Sequence, residues 1–200
     1  MIFSNPTTLK KHLRAGKVYR RSDLLQFSNA VDRHLLQLVN DGALQKIAGG
    51  LYYCPKQTSF GAVPPEDGKL VRAFLKDDHF YLTSLNAYNS LGVGPSQLYN
   101  ERLVYNHKRD GRHVLNGRHF YFIKRSRFPK KSSVEFLLVD LINNLHFLAE
   151  DQEAIKENAA QKALSMDKKR LMKAVSNYAG ARAQNFFEGV FKNTELAHAV

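Results

Sequence analysis

The chain has 200 residues, 44% of them hydrophobic, with 30 Lys and Arg against 18 Asp and Glu, a net charge of +12. The apolar content is that of a folded protein, yet no run approaches the roughly 20 apolar residues that span a bilayer, so a membrane protein is not expected. One cysteine, Cys54, permits neither an internal disulfide nor a thiolate metal cluster, and the first residues, with Pro6, Lys10 and Lys11, hold no apolar signal core, so a cytoplasmic protein is expected.

Asn5-Pro6 is a helix start, a capping side chain followed by proline at the first helical position. Leu9 and Leu13 then share a face of a short helix over residues 6–15, which Gly16 ends. Ser22-Asp23 caps a second short helix with Leu24, Leu25 and Phe27 as its apolar face. Ser28 caps a third, in which Val31, Leu35, Leu38 and Val39 recur at helical spacing until Asp41-Gly42 stops it. The opposite face of that helix carries Asn29, Asp32, Arg33, Leu36, Gln37 and Asn40. Asn, Gln and Arg are the side chains that pair with base edges in the major groove, and the turn between the second and third helices is short, as in a helix-turn-helix. Asn29, Arg33 and Gln37 are therefore the candidate base contacts. Arg20, Arg21 and Ser22 precede the second helix as candidate phosphate contacts.

Residues 43–47 and 51–53 alternate around Ala48-Gly49-Gly50, which reads as a β-hairpin, or wing. Lys46, Gly49, Gly50 and Tyr52 complete the candidate duplex contacts. Residues 1–60 thus form a winged helix-turn-helix, and 61–68, rich in proline and turn residues, a linker. Residues 69–200 form an α+β domain, opening with a helix from Lys69 to Lys76 that turns Leu70, Phe74 and Leu75 inward. A strand at 79–83 follows, then a helix capped by Ser84 and ended by Gly92. A β-rich stretch at 101–128 contains strands at 103–106, 112–115 and 120–124, with Asn116-Gly117 as a hairpin turn. Helices occupy 133–196, with Ser132 to Glu135 as a capping box and Asp167 as a later cap. The fold class is α+β.

The charge is uneven: +6 over residues 1–65, +5 over 66–128 and +1 over 129–200. Neutralising phosphates releases condensed counterions, so the positive two thirds favour a polyanion. Within 102–127 lie Lys108, Arg109, Arg112, Arg118, Lys124 and Arg125, a possible second nucleic-acid contact through phosphates or through stacking on interleaved Tyr and Phe. No P-loop, dinucleotide fingerprint or nucleophile elbow occurs. Cys54 reads as a structural thiol. His107, His113 and His119 fall short of a metal set. Neither enzyme activity nor a cofactor or metal is expected.

Residues 18–55 resemble the winged-helix domain of AbiEi-type antitoxins of bacterial type IV toxin–antitoxin (abortive infection) systems. The likeness lies in Arg21-Ser22-Asp23-Leu24, in Val31 to Gly42, and in Gly49-Gly50-Leu51-Tyr52-Tyr53 followed by Pro55. It continues more weakly through Thr83 to Gly92 and Arg102 to Lys124, covering about two thirds of the chain. The resemblance implies a DNA-binding transcriptional regulator that represses its own operon at an inverted-repeat operator in double-stranded DNA. It also implies pairing with a nucleotidyltransferase-like toxin. From the residues alone, a protein-interaction module and an RNA-binding protein using the basic sheet stay open.

Overall fold

The computed structural model describes residues 6–197 and shows an α+β protein. It divides into two compact units, one formed by the chain up to His79 with Gly111–Phe120, the other by Phe80–Asp110 with the chain from Tyr121 onward. The Asn5 cap lies outside the described residues.

The first unit opens with α1 (Pro6–Lys11), β1 (Val18–Arg20) and α2 (Arg21–Leu24), which runs into a 3-10 turn at Leu25–Phe27. Then come α3 (Val31–Asn40), β2 (Gln45–Ala48) and β3 (Leu51–Tyr53). Helix α1 is shorter than the expected 6–15. The Arg14 N–H donates to the Tyr19 hydroxyl at 2.7 Å instead of to a helical carbonyl, which ends the helix before Gly16. The strands form an antiparallel sheet in the order β1-β3-β2, with Val18 opposite Tyr53 and Lys46 opposite Tyr52. Strand β1 has no sequence expectation behind it, because no turn signal joins it to its partner as Gly49-Gly50 joins residues 51–53 to β2. Leu9, Leu24, Val31, Leu35, Leu38 and Leu44 make the core, with Tyr19, Phe27 and Tyr52 packed around it.

Two caps differ from expectation. Arg20, not Ser22, caps α2, because Asp23 sits three residues in and its carboxylate accepts the Arg20 N–H at 3.3 Å. Ala30 caps α3, while Ser28 stands two residues earlier. Residues 61–68, expected to be a linker, hold β5 (Gly61–Val63), paired antiparallel with β4 (Lys56–Thr58), and the start of α4 (Asp67–Leu75). The Tyr53 hydroxyl donates to the Val63 carbonyl at 2.7 Å and ties this hairpin down. Helix α4 buries Leu70, Val71 and Leu75 and lies against β1. The unit is completed by β8 (Gly111–Leu115) and the first half of β9 (Arg118–Lys124). Asn116 and Gly117 make the turn at φ 52° and 71°, the left-handed pair that this dipeptide favours. The Asn116 N–H donates to the Ile47 carbonyl at 3.0 Å, and the Gln45 amide donates to Asn116 Oδ1 at 3.1 Å, so the hairpin tip is fastened to β2.

In the second unit β6 (Phe80–Ser84) pairs antiparallel with β7 (Arg102–Asn106). The Arg125 N–H donates to the Asn106 carbonyl at 2.9 Å, on the β7 side where the later half of β9 runs. A 3-10 stretch, Leu85–Leu91, stands where a helix was expected and ends at Gly92. Four helices follow: α5 (Val134–Asn143), α6 (Gln152–Leu164), α7 (Lys168–Tyr178) and α8 (Ala181–Ala197). Every residue of α5 from Phe136 to Ile142 is buried, because α6, α7 and α8 all pack against it. Its cap is Ser133, accepting the Phe136 N–H at 3.1 Å, one residue beyond Ser132. Asp167 caps α7 as expected, accepting the Arg170 N–H at 2.7 Å.

Candidate nucleic-acid interface

Helix α3 has two faces. Val31, Leu35 and Leu38 are buried, while Asp32, Arg33, Leu36, Gln37 and Asn40 are exposed. The apolar positions fall at i, i+4 and i+7, so burying them turns the polar set outward. Arg33 and Gln37 make no side-chain hydrogen bond or ion pair among the described residues. Leu36 is 63% exposed between them, an apolar group on a face otherwise built of hydrogen-bonding side chains. Asn29 departs from expectation: it is exposed, but it belongs to the turn before α3 and not to the helix.

That turn is held by a pair that sequence inspection missed. His34 is buried on the inner side of α3, and its Nδ1 shares a 2.8 Å hydrogen bond with Ser28 Oγ. Ser28 Oγ also accepts the Ala30 N–H at 3.2 Å. The entry to α3 is thus fixed from inside the core, with both side chains satisfied as burial requires. A histidine one position before Leu35, within the apolar periodicity, was the available signal.

The basic residues ahead of α2 are engaged within the chain. Arg20 Nε donates to both Asp23 carboxylate oxygens, at 3.0 and 3.1 Å. Arg21 grips Asp32 in a two-pronged pair, Nε at 2.6 Å and Nη2 at 2.7 Å. Asp32 raises the already high pKa of Arg21, and the Arg21 hydrogen bond lowers that of Asp32. The Arg21 N–H donates to the Gly50 carbonyl at 2.8 Å. One residue therefore joins the start of α2, the first turn of α3 and the Gly49-Gly50 turn. Ser22 is exposed and donates to Asp23 at 3.3 Å. Lys46 is exposed on β2, facing Tyr52 across the strands. Tyr52 is half-buried against the core.

The second basic set is divided. Arg112 is exposed on β8 in the first unit. Arg118, also there, is ion-paired with Asp67 and donates to the Pro65 carbonyl at 2.9 Å, so it braces α4. Lys108 and Arg109 occupy the turn after β7 in the second unit, where both backbone N–H groups donate to Asn106 Oδ1. Lys124 is exposed, and Arg125 lies over the Tyr105 ring at 4.7 Å. The aromatic rings between them serve the core: Tyr105, Phe120 and Phe122 are at most 1% exposed. They offer no stacking platform. Among the described residues no group of three or more His, Cys, Asp or Glu could hold a metal. Burial pushes the Cys54 thiol up, away from the reactive range.

Beneath Arg125 the second unit contains a buried polar cluster. Asp140, 1% exposed on α5, accepts from the Tyr88 hydroxyl at 2.8 Å and from the Tyr105 hydroxyl at 2.9 Å. Asn144 donates to both hydroxyl oxygens, at 2.8 and 2.6 Å. Burial raises the pKa of Asp140, with Arg125 opposing it, and pushes both phenols well up. An aspartate inside the otherwise apolar run 136–142 was the sequence signal for this cluster.

No helix among the described residues is long and apolar enough to cross a membrane. No protein-family model matches the chain, and no curated protein matches it. Among solved structures it is similar to the crystal structure of the RV2827C protein from Mycobacterium tuberculosis, with a TM-score of 0.53 and 15% identity over 92% of this chain and 75% of that one. At that identity the likeness is one of fold alone.

Proposed function

We propose that the first unit is a winged helix-turn-helix that binds duplex DNA in a sequence-specific way, with α3 entering the major groove and the β2–β3 hairpin as the wing. The observation that carries this reading is the pair Arg33 and Gln37 on the outer face of α3, which flank Leu36 and make no side-chain hydrogen bond or ion pair among the described residues. Arg can bridge two acceptors on guanine, Gln can pair with adenine, and an apolar side chain can meet the thymine methyl. The succession α1-β1-α2-α3-β2-β3, with a short turn between α2 and α3 and a hairpin after them, supports this reading. The net charge of +12 supports the same partner. The sequence resemblance to AbiEi-type antitoxins carries the narrower proposal, a repressor of its own operon that counters a nucleotidyltransferase-like toxin.

Gel shift against the DNA upstream of the chain's own gene tests the first proposal. Arg33→Ala is expected to cost about 1–3 kcal/mol of discrimination at one base position while leaving binding to unrelated duplex nearly intact. An unchanged site preference in that variant would remove α3 from the interface. Co-expression with a neighbouring nucleotidyltransferase-like toxin tests the second: growth is rescued if the antitoxin reading holds and not otherwise.

A further inference from the structure

Helix α5 is followed at its C-terminal end by Asn144, next to its last residue Asn143, and each of the two asparagines fixes one wall of a single cavity. Asn143 donates to the Tyr178 carbonyl at 2.9 Å and accepts the Gly180 N–H at 2.8 Å, pinning the junction where α7 gives way to α8. Asn144, 1% exposed, accepts from the Arg125 guanidinium at 3.3 Å. The Tyr105 ring supports the same guanidinium from its face at 4.7 Å. Between these walls lies a cavity of about 330 Å³, whose lining includes Lys124, Arg125, Arg127, Tyr178 and Gly180.

Three cations line this cavity and no carboxylate does. Lys124 and Arg127 make no ion pair among the described residues. The larger cavity of the first unit is different: Lys17, Arg20, Lys69, Arg72 and Lys76 share it with Asp23, Asp77 and Asp78. There three carboxylates stand among the five cations. In the second unit Arg125 has the buried Asp140 beneath it, while Lys124 and Arg127 pair with no carboxylate among the described residues. Three like charges held together are relieved best by a multiply charged anion, and a guanidinium fixed in one orientation matches the oxygen edge of a phosphate. Because Asn144 and Tyr105 hold Arg125 in place beforehand, little side-chain ordering remains to oppose binding.

We propose that this cavity is a phosphate-binding site, taking a phosphoryl group at Arg125 with Lys124 and Arg127 closing on its free oxygens. The site belongs to the second unit and does not depend on the duplex reading of α3. The test titrates the full ¹⁵N-labelled chain with sodium phosphate, and separately with sodium acetate, at constant ionic strength. Saturable shifts of the Gly180 amide and the Arg125 side-chain signal are expected with phosphate, with acetate at least tenfold weaker. The double variant Lys124→Gln, Arg127→Gln, whose side chains are exposed, should keep its unfolding midpoint and bind phosphate at least tenfold more weakly. Shifts that rise linearly without saturating, or a double variant that titrates like the parent chain, would overturn the site. A 5′-phosphorylated dinucleotide compared with its unphosphorylated twin identifies the source. Tighter binding of the phosphorylated form than of inorganic phosphate assigns a nucleotide carrier, and equal binding assigns free phosphate.

Discussion

At the scale of single residues, charge pairing decides which basic side chains are available to a polyanion. Arg20 and Arg21 looked like a ready phosphate clamp, yet each is paired to an aspartate, three and eleven residues away. Spacing of eleven has no helical or strand signature, so the Arg21–Asp32 pair was illegible. The outward set Arg33 and Gln37 was legible because helical periodicity alone separates it from Val31, Leu35 and Leu38. Exposed pairs of this kind add little stability, so Asp32→Asn should leave the fold intact, release Arg21 and remove a negative charge from α3. Affinity for any duplex is then expected to rise severalfold in a fluorescence anisotropy titration, and weaker binding would argue against phosphates near α3. The buried Asp140 gives a second test. Asp140→Ala removes the carboxylate to which both phenol hydroxyls donate and should lower the urea-unfolding free energy by about 3 kcal/mol. The pH dependence follows from the raised carboxyl. From the ordinary value of 3.8 upward to the raised one, the folded chain holds a proton that the unfolded chain has released. Stability therefore falls as pH rises across that window, and Asp140→Asn should flatten this part of the profile.

Elements were legible where they carry their own punctuation. Gly49-Gly50 and Asn116-Gly117 announce hairpins because their residues accept positive φ, and Gly50 sits at 69°. No atom lies within 4 Å of a methyl added at Gly50, so Gly50→Ala tests the backbone alone. It should cost about 1 kcal/mol in thermal or urea unfolding through left-handed strain. Strands β1 and β4 were not legible, since no glycine turn joins either to its partner and each is defined by that partner, β3 and β5 respectively. Pairing is a property of two segments, and composition reports only one. The same limit applied to 61–68: its prolines and glycines were real, but Thr58 Oγ1 donating to the Gly61 carbonyl at 2.9 Å and the hydrogen bond from Tyr53 make a hairpin of it. The turn before α3 shows the converse. Ser28 reads as a capping residue in the sequence, and its role is set by a buried histidine that lies six residues on.

For the molecule as a whole, the number of phosphates neutralised would set how the proposed duplex binding responds to salt. If Lys46 touches a phosphate, Lys46→Ala should reduce the slope of log affinity against log salt by about 0.9. An unchanged slope would exclude the wing from the phosphate contacts. The α+β class followed from the alternation of element types along the chain, whereas the allocation of the segments did not. Residues 111–120 were expected with the basic sheet of a downstream domain, and their hairpin tip instead bonds to Ile47 and Gln45. Because of that fastening, the first unit is not one continuous stretch of gene. A single recombination event after residue 79 would transfer α1 through α4 and leave the 111–120 hairpin behind, exposing the edge of β2. Such a unit travels between proteins only with the intervening 80–110 segment in tow, so its distribution among genomes should follow whole genes and not exchangeable cassettes.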